Sequence, residues 1–152
     1  LKITRSLLEV FYEYKHPVGI ITKNSLILRD IDLLSEMAKD GLVHVMISIT
    51  TLREELRLLM EPRTATSKNR LKVIELLNSN GIPTGVMTAP IIPGLNSDEI
   101  PELIKAAADS GALAAGYTMV RLKIFFTIGS IKIFLMQQKR YGIIFQKPMV
   151  VR

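Results

Sequence analysis

The chain has 152 residues, 48% of them apolar and 22% charged, with a formal net charge of +6. That is the length of one domain, with enough apolar content for a packed core, so a wholly disordered chain is excluded. There is no cysteine and there are only two histidines, His16 and His44. Disulfides, zinc–thiolate sites, thiol catalysis and a Cys-held iron–sulfur cluster are therefore excluded within these residues, and no metal-ligand set stands out.

The pattern opens with a helix. Leu7, Leu8, Phe11 and Tyr14 recur at the three-to-four spacing of one helical face. His16-Pro17 ends it, because the residue before a proline is pushed out of the α region. Val18 to Thr22 then reads as a short parallel strand, apolar on both faces. Asp30 is placed to cap a second helix whose Leu33, Leu34, Met37 and Ala38 share a face, with Gly41 at the left-handed C-terminal position. A second strand covers Val43 to Thr50. Thr51 to Glu54 has the form of a capping box for a helix carrying Leu52, Leu56 and Leu59.

Glu61-Pro62-Arg63 breaks that pattern. The next helix is predicted from about Ser67 to Asn80, with Leu71, Ile74 and Leu77 as its core face and Gly81 as its stop. Thr84 to Pro90 is the third strand, followed by the loop from Ile91 to Asn96. Asn96 and Glu99 form a further capping pair, and Ile100, Leu103, Ile104 and Ala107 face inward up to Gly111. A fourth strand runs from about Leu113 to Leu122.

Four strands alternating with helices imply an α/β fold with about four parallel strands and flanking helices. A partial TIM-like (β/α) barrel and an open doubly wound sheet share this pattern, and local periodicity does not separate them. The organisation changes after residue 122. Residues 1–122 carry equal numbers of basic and acidic side chains, whereas residues 123–152 hold six basic residues and no acid. The expected division is a barrel-like domain over 1–122 and a basic, apolar tail over 123–152, read as foreign or frame-shifted sequence. Such a tail can also attract nucleic acid. The chain begins without Met, which suits a chain missing its true beginning. With no signal peptide visible and no run of about 18 apolar residues, the expectation is a cytoplasmic chain with no membrane span.

In parallel α/β folds, ligands bind beyond the carboxyl ends of the strands. Here those ends carry Lys23 and Asn24, Ser48 and Thr50, the loop from Pro90 to Asn96, and the segment up to Arg121. An ammonium directly after an apolar strand, as at Lys23, suits a carboxylate or phosphate, and equally a neighbouring acid. The Ser48 hydroxyl, inside an apolar run, must find backbone or ligand. Glu61, Arg63 and Arg70 are either a charge cluster facing the site or a solvated helix connection. His44 lies near a strand start, the wrong end for catalysis. No glycine-rich phosphate loop and no Ser/His/Asp triad is present.

Several of these segments have a recognisable order. Pro17-Val18-Gly19-Ile20-Ile21-Thr22-Lys23-Asn24, Leu28 to Leu34, Val45 to Leu52, Leu59-Met60-Glu61-Pro62-Arg63-Thr64 and Gly85 to Asn96 together resemble the radical S-adenosylmethionine (SAM) proteins of the spore photoproduct lyase-like, or DNA repair photolyase-like, group. The likeness runs from about Thr4 to Leu122. It implies a partial (β/α)6 barrel to which this chain gives strands three to six. It also implies a [4Fe–4S] cluster on a CxxxCxxC loop, which reduces SAM to a 5′-deoxyadenosyl radical that abstracts hydrogen from substrate. By resemblance, Lys23 approaches the SAM carboxylate and Ser48 lies near the same ligand. Asn24, Thr50 and the loop from Pro90 to Asn96 line the cavity, and Arg121 lies near the far wall. Glu61 and Arg63 are then candidates on the substrate side. The implied partners are SAM and, through the photolyase-like likeness, DNA.

The departure from the family is the missing cluster motif. The resemblance therefore implies a fragment of a lyase-like enzyme, inactive by itself for want of the thiolates. The alternative is a small α/β module that uses Lys23, Ser48 and the 90–96 loop to bind an anionic ligand or nucleotide without redox chemistry.

Overall fold

The computed structural model describes residues 3–120; Arg121 and the tail over 123–152 lie outside the described residues. The order is α1 (Ile3–Glu13), β1 (Val18–Thr22), a 3-10 segment (Ser25–Asp30), α2 (Ile31–Lys39), β2 (Val43–Ser48), α3 (Glu54–Met60), α4 (Ser67–Ser79), β3 (Thr84–Ile91), α5 (Ile100–Asp109) and β4 (Ala114–Met119). All three strand pairings are parallel, and the spatial order is β1-β2-β3-β4. Consecutive parallel strands joined by crossovers of one hand put their helices on one face of the sheet. A doubly wound sheet reverses its strand order and carries helices on both faces. The α/β fold is therefore of the partial TIM-like barrel type, four parallel strands with flanking helices.

The helix-covered face is the core. Val43, Val45 and Ile47 of β2, with Ile49 just beyond it and Val86 of β3, are buried against Leu34 and Met37 of α2, Val73, Ile74 and Leu77 of α4, and Leu103 and Ala107 of α5. Burying side chains of this size contributes roughly 1.5–3 kcal/mol each. The glycines predicted to stop helices do so: Gly41, Gly81 and Gly111 each have positive φ, a conformation that costs a side-chain-bearing residue more. At the first of them, Leu42 N–H returns to the Met37 carbonyl at 2.9 Å. Helix α1 is tied to α2 by Arg5, which donates to both Asp32 oxygens at 2.9 and 2.8 Å.

Several local expectations are corrected. Leu7 (53% exposed) and Tyr14 (76% exposed) point to solvent, and α1 docks through Leu8 with Phe11 packed beside it. Ile104 is likewise substantially exposed. Strand β1 is apolar inward on one face only. Ile21 is 64% exposed because β1 is an edge strand whose second face carries no helix. The three capping readings are corrected because the side chains take other partners. Asp30 makes no cap hydrogen bond and takes Arg29 and Arg5 instead. Thr51 Oγ1 accepts from Arg53 N–H, as the capping reading requires, and donates to Glu99, but the helix begins at Glu54, whose carboxylate accepts from Arg57 and does not reach back. Helix α5 has no side-chain cap from Glu99, and Asn96 is engaged elsewhere. Among the described residues the fourth strand covers Ala114–Met119; the end of its predicted span, 121–122, lies outside them.

Candidate functional site

The face of the sheet away from the helices follows from strand alternation. Ile21, Met46, Gly85 and Ala114 form one row by register, and Ser48, Met87 and Gly116 form the next row toward the carboxyl ends. Lys23 continues that row. It follows Thr22, which is paired with Ile47, and so lies beside Ser48. The lower row is closed tightly. A Cβ on Gly85 would lie 2.6 Å from Met46 Sδ and 2.8 Å from the Ala114 carbonyl oxygen, so only glycine fits there.

At the mouth, one carboxylate gathers the polar groups. Glu61, with its side chain 9% exposed, accepts a short hydrogen bond from Lys23 Nζ on Oε1. Thr50 Oγ1 lies 2.7 Å from the same oxygen and 3.1 Å from the Ala89 carbonyl; its single proton is better used by the nearer, charged acceptor. Arg70 Nη2 donates to Glu61 Oε2 at 2.8 Å. Burial pushes the Glu61 carboxyl up, but the bonds from Lys23, Thr50 and Arg70 prevail and hold it down at about 2. Glu61 is thus ionised at neutral pH.

The loop that presents Glu61 is fixed by two buried arginines. Arg70, only 1% exposed, also donates from Nη1 to the Ser48 carbonyl at 2.8 Å and from Nε to the Ala65 carbonyl at 3.0 Å. Arg57 donates to the carbonyls of Glu61 and Thr64 at 3.0 and 2.9 Å, and its charge is matched by Glu54. Ser48 therefore shares a frame with Glu61 and Lys23. Ser48 is 3% exposed, and among the described residues its hydroxyl makes no hydrogen bond while its carbonyl is taken by Arg70. A buried hydroxyl without a partner costs about 1–3 kcal/mol.

The remaining candidates divide clearly. Asn24 uses its side chain to cap the 3-10 segment, accepting from Leu26 N–H at 3.0 Å. Asn96 is buried and braces its own loop: Ile92 N–H donates to Oδ1 at 2.7 Å, and Nδ2 donates to the carbonyls of Thr50 and Pro90 at 2.8 and 3.1 Å. Pro90 thus enters the site through its carbonyl. Arg63 is exposed and joins none of the bonds around Glu61, so the expected Glu61–Arg63–Arg70 cluster contains only Glu61 and Arg70. His44 is exposed toward the strand start. A separate cavity of about 760 Å³ opens between Arg53–Leu56 and the Gly94–Asp98 turn, away from Lys23 and Ser48.

Two scaffold roles escaped sequence reasoning, those of Glu99 and Arg57. Glu99 accepts from the Thr51 hydroxyl in a short bond and from Leu52 N–H at 2.9 Å, which pins the chain after β2 to the start of α5. These partners lie 47 and 48 positions apart, beyond any local pattern. Arg57 had one signal, Glu54 three residues before it.

The sequence that builds this parallel α/β sheet matches a known family. The Radical SAM superfamily model matches residues 2–107. The chain belongs to the radical SAM superfamily. It is similar to curated proteins that are themselves described as uncharacterized, three of which follow. It is 33% identical to Rv2578c of Mycobacterium tuberculosis (strain ATCC 25618 / H37Rv) over 98 residues, which is 63% of this chain and 29% of that protein. It is 35% identical to ORF301 of Acidianus two-tailed virus over 97 residues, 60% of this chain and 32% of the relative. It is 30% identical to MJ0683 of Methanocaldococcus jannaschii over 94 residues, 62% and 35% of the two chains. The chain spans about a third of the length of the curated relatives it matches.

Membership implies SAM and a [4Fe–4S] cluster in full-length family proteins, and the two fit this chain differently. The cluster does not fit: the 152 residues hold no cysteine, and among the described residues no group of three or more His, Cys, Asp or Glu could hold a metal. For SAM the described residues offer a buried Ser48 hydroxyl without a partner and, just past the end of the neighbouring strand, the Lys23 ammonium, donors of the kind a carboxylate accepts from. No helix among the described residues is long and apolar enough to cross a membrane.

Proposed function

We propose that this chain supplies the carboxylate-binding wall of a SAM site, with Lys23 Nζ and Ser48 Oγ taking the SAM carboxylate. Thr50, Pro90, Asn24 and Asn96 shape the wall, the last two by holding backbone in place. Glu61 stands on the SAM side with Lys23, while Arg63 and Arg121 are left as substrate-side groups. The observation that carries this reading is the orphaned hydroxyl of Ser48. A carboxylate oxygen satisfies it and, with the adjacent ammonium, forms the charge-assisted bonds that are strongest in a site withdrawn from water. The test is calorimetric titration of the full chain with S-adenosylhomocysteine and with decarboxylated SAM. The first is expected to bind, and the second at least about tenfold more weakly; equal binding would overturn the assignment.

The finer reaction class we assign is lyase-like repair of a DNA photoproduct, supported by the strand-end segments quoted above. This chain's own residues orient SAM and exclude water from its carboxylate, but they provide no thiolate for a cluster. We therefore expect no 5′-deoxyadenosine from the chain alone after reconstitution with iron and sulfide. Turnover above background would refute that.

A further inference from the structure

We infer that Glu61 is a specificity-determining residue, setting the strand-mouth site to one net positive charge so that it prefers a singly charged carboxylate over a doubly charged phosphate. The inference rests on the reading of Lys23 and Ser48 as an oxyanion-binding pair, and extends it to what kind of oxyanion is accepted.

The argument is a charge count on fixed groups. Three ionisable side chains meet at the site: Lys23, Glu61 and Arg70. The Arg57 charge behind them is answered by Glu54, and Arg53 pairs with Asp98 and Glu99. Glu61 and Arg70 cancel, which leaves the Lys23 ammonium, 37% exposed, as the charge presented to a ligand. A monoanion neutralises that site; a dianion leaves an excess negative charge next to the Glu61 carboxylate. The Glu61 side chain is only 9% exposed, and a second negative charge at hydrogen-bond range of it is costly.

Glu61 cannot step aside to admit a dianion. Oε2 is held by Arg70, Oε1 by Thr50 and Lys23, and its backbone carbonyl by Arg57. Arg70 is itself locked by the carbonyls of Ser48 and Ala65. The carboxylate is therefore a permanent part of the site wall. Its ionisation does not change between pH 5 and pH 9, because its pKa is held near 2.

The experiment titrates the full chain and its E61Q variant at pH 8 with two probes, S-adenosylhomocysteine and inorganic phosphate. Glutamine keeps the shape and most hydrogen bonds and raises the site charge by one. Phosphate affinity is expected to rise about tenfold, with S-adenosylhomocysteine affinity changing less than threefold. Unchanged phosphate affinity in folded E61Q overturns the inference. Should E61Q unfold, the unaltered chain is titrated with inorganic phosphate at pH 6, where phosphate is mainly the monoanion, and at pH 8, where it is mainly the dianion. Tighter binding at pH 6 is expected, and equal or weaker binding there overturns the inference. Failure of the underlying reading is distinct: S-adenosylhomocysteine would then not bind the unaltered chain.

Discussion

The two faces of the sheet are made by the same strands yet are built on different rules. On the helix side, Val45, Ile47, Ile49 and Val86 meet α2, α4 and α5 in a dry apolar layer. On the other side, the same strands present Ile21, Met46, Ser48 and Met87, with Lys23 and the Glu61 cluster at the mouth. The first face is satisfied by packing alone. The second keeps one buried hydroxyl unsatisfied and spends a buried ion pair on holding a third charge in place. Apolar packing and the polar cluster are thus separated by strand alternation, one residue apart along β2.

Four measurements sharpen or break that contrast. The largest effect is expected on the polar side: R70A removes one of the two cations on the Glu61 carboxylate and the donor to the Ser48 and Ala65 carbonyls and the Thr64 hydroxyl, and should cost about 3–5 kcal/mol in urea unfolding. A loss under about 1 kcal/mol would mean that the loop is held by other contacts. On the helix side, L77A opens a cavity at a fully buried position and should cost about 2–5 kcal/mol with ligand affinity unchanged. Third comes acid. The Glu61 pKa is lowered from 4.5 to about 2 on folding. The unfolded chain therefore takes up its proton first, so the contribution of Glu61 is complete above about pH 4.5 and disappears as pH falls toward 2. Comparing the unaltered chain with E61Q over this window should show their stability difference shrinking, by an amount on the order of 3 kcal/mol; a constant difference would contradict the assignment. The smallest stability effect is the most telling. S48A removes a hydroxyl that has no partner, so stability should stay level or rise by about 1 kcal/mol while S-adenosylhomocysteine affinity falls about tenfold. A marked loss of stability would recast Ser48 as a structural residue.

Much of the scaffold was legible in the sequence because it depends on local periodicity. Leu34 and Met37, Ile74 and Leu77, and Leu103 and Ala107 are where helical spacing puts them. The placement of Lys23 and Ser48 at the carboxyl ends of their strands was legible too, because each follows an apolar run of strand length. The failures share a cause. Asp30, Thr51, Asn96 and Glu99 have the chemistry of helix caps, but each also has a tertiary partner 25 to 48 positions away that fixes its side chain elsewhere. The same distance hid the link from Glu61 to Lys23, 38 positions apart. Arg63 and Arg70 looked alike in sequence; only the turn of α4 under β2 separates the buried one from the exposed one.

The consecutive order of the strands has a consequence for how this protein tolerates change. Each strand is hydrogen-bonded only to its immediate neighbours, so pairing at an outer strand can be altered without rethreading those already laid down. Lys23 and Ser48 sit at the ends of adjacent strands on one side of that series, and β4 is hydrogen-bonded into the sheet through β3, with Met46 of β2 reaching toward Gly116. A change in the backbone pairing of Ala114–Met119 therefore leaves the pairing of β1 with β2 intact.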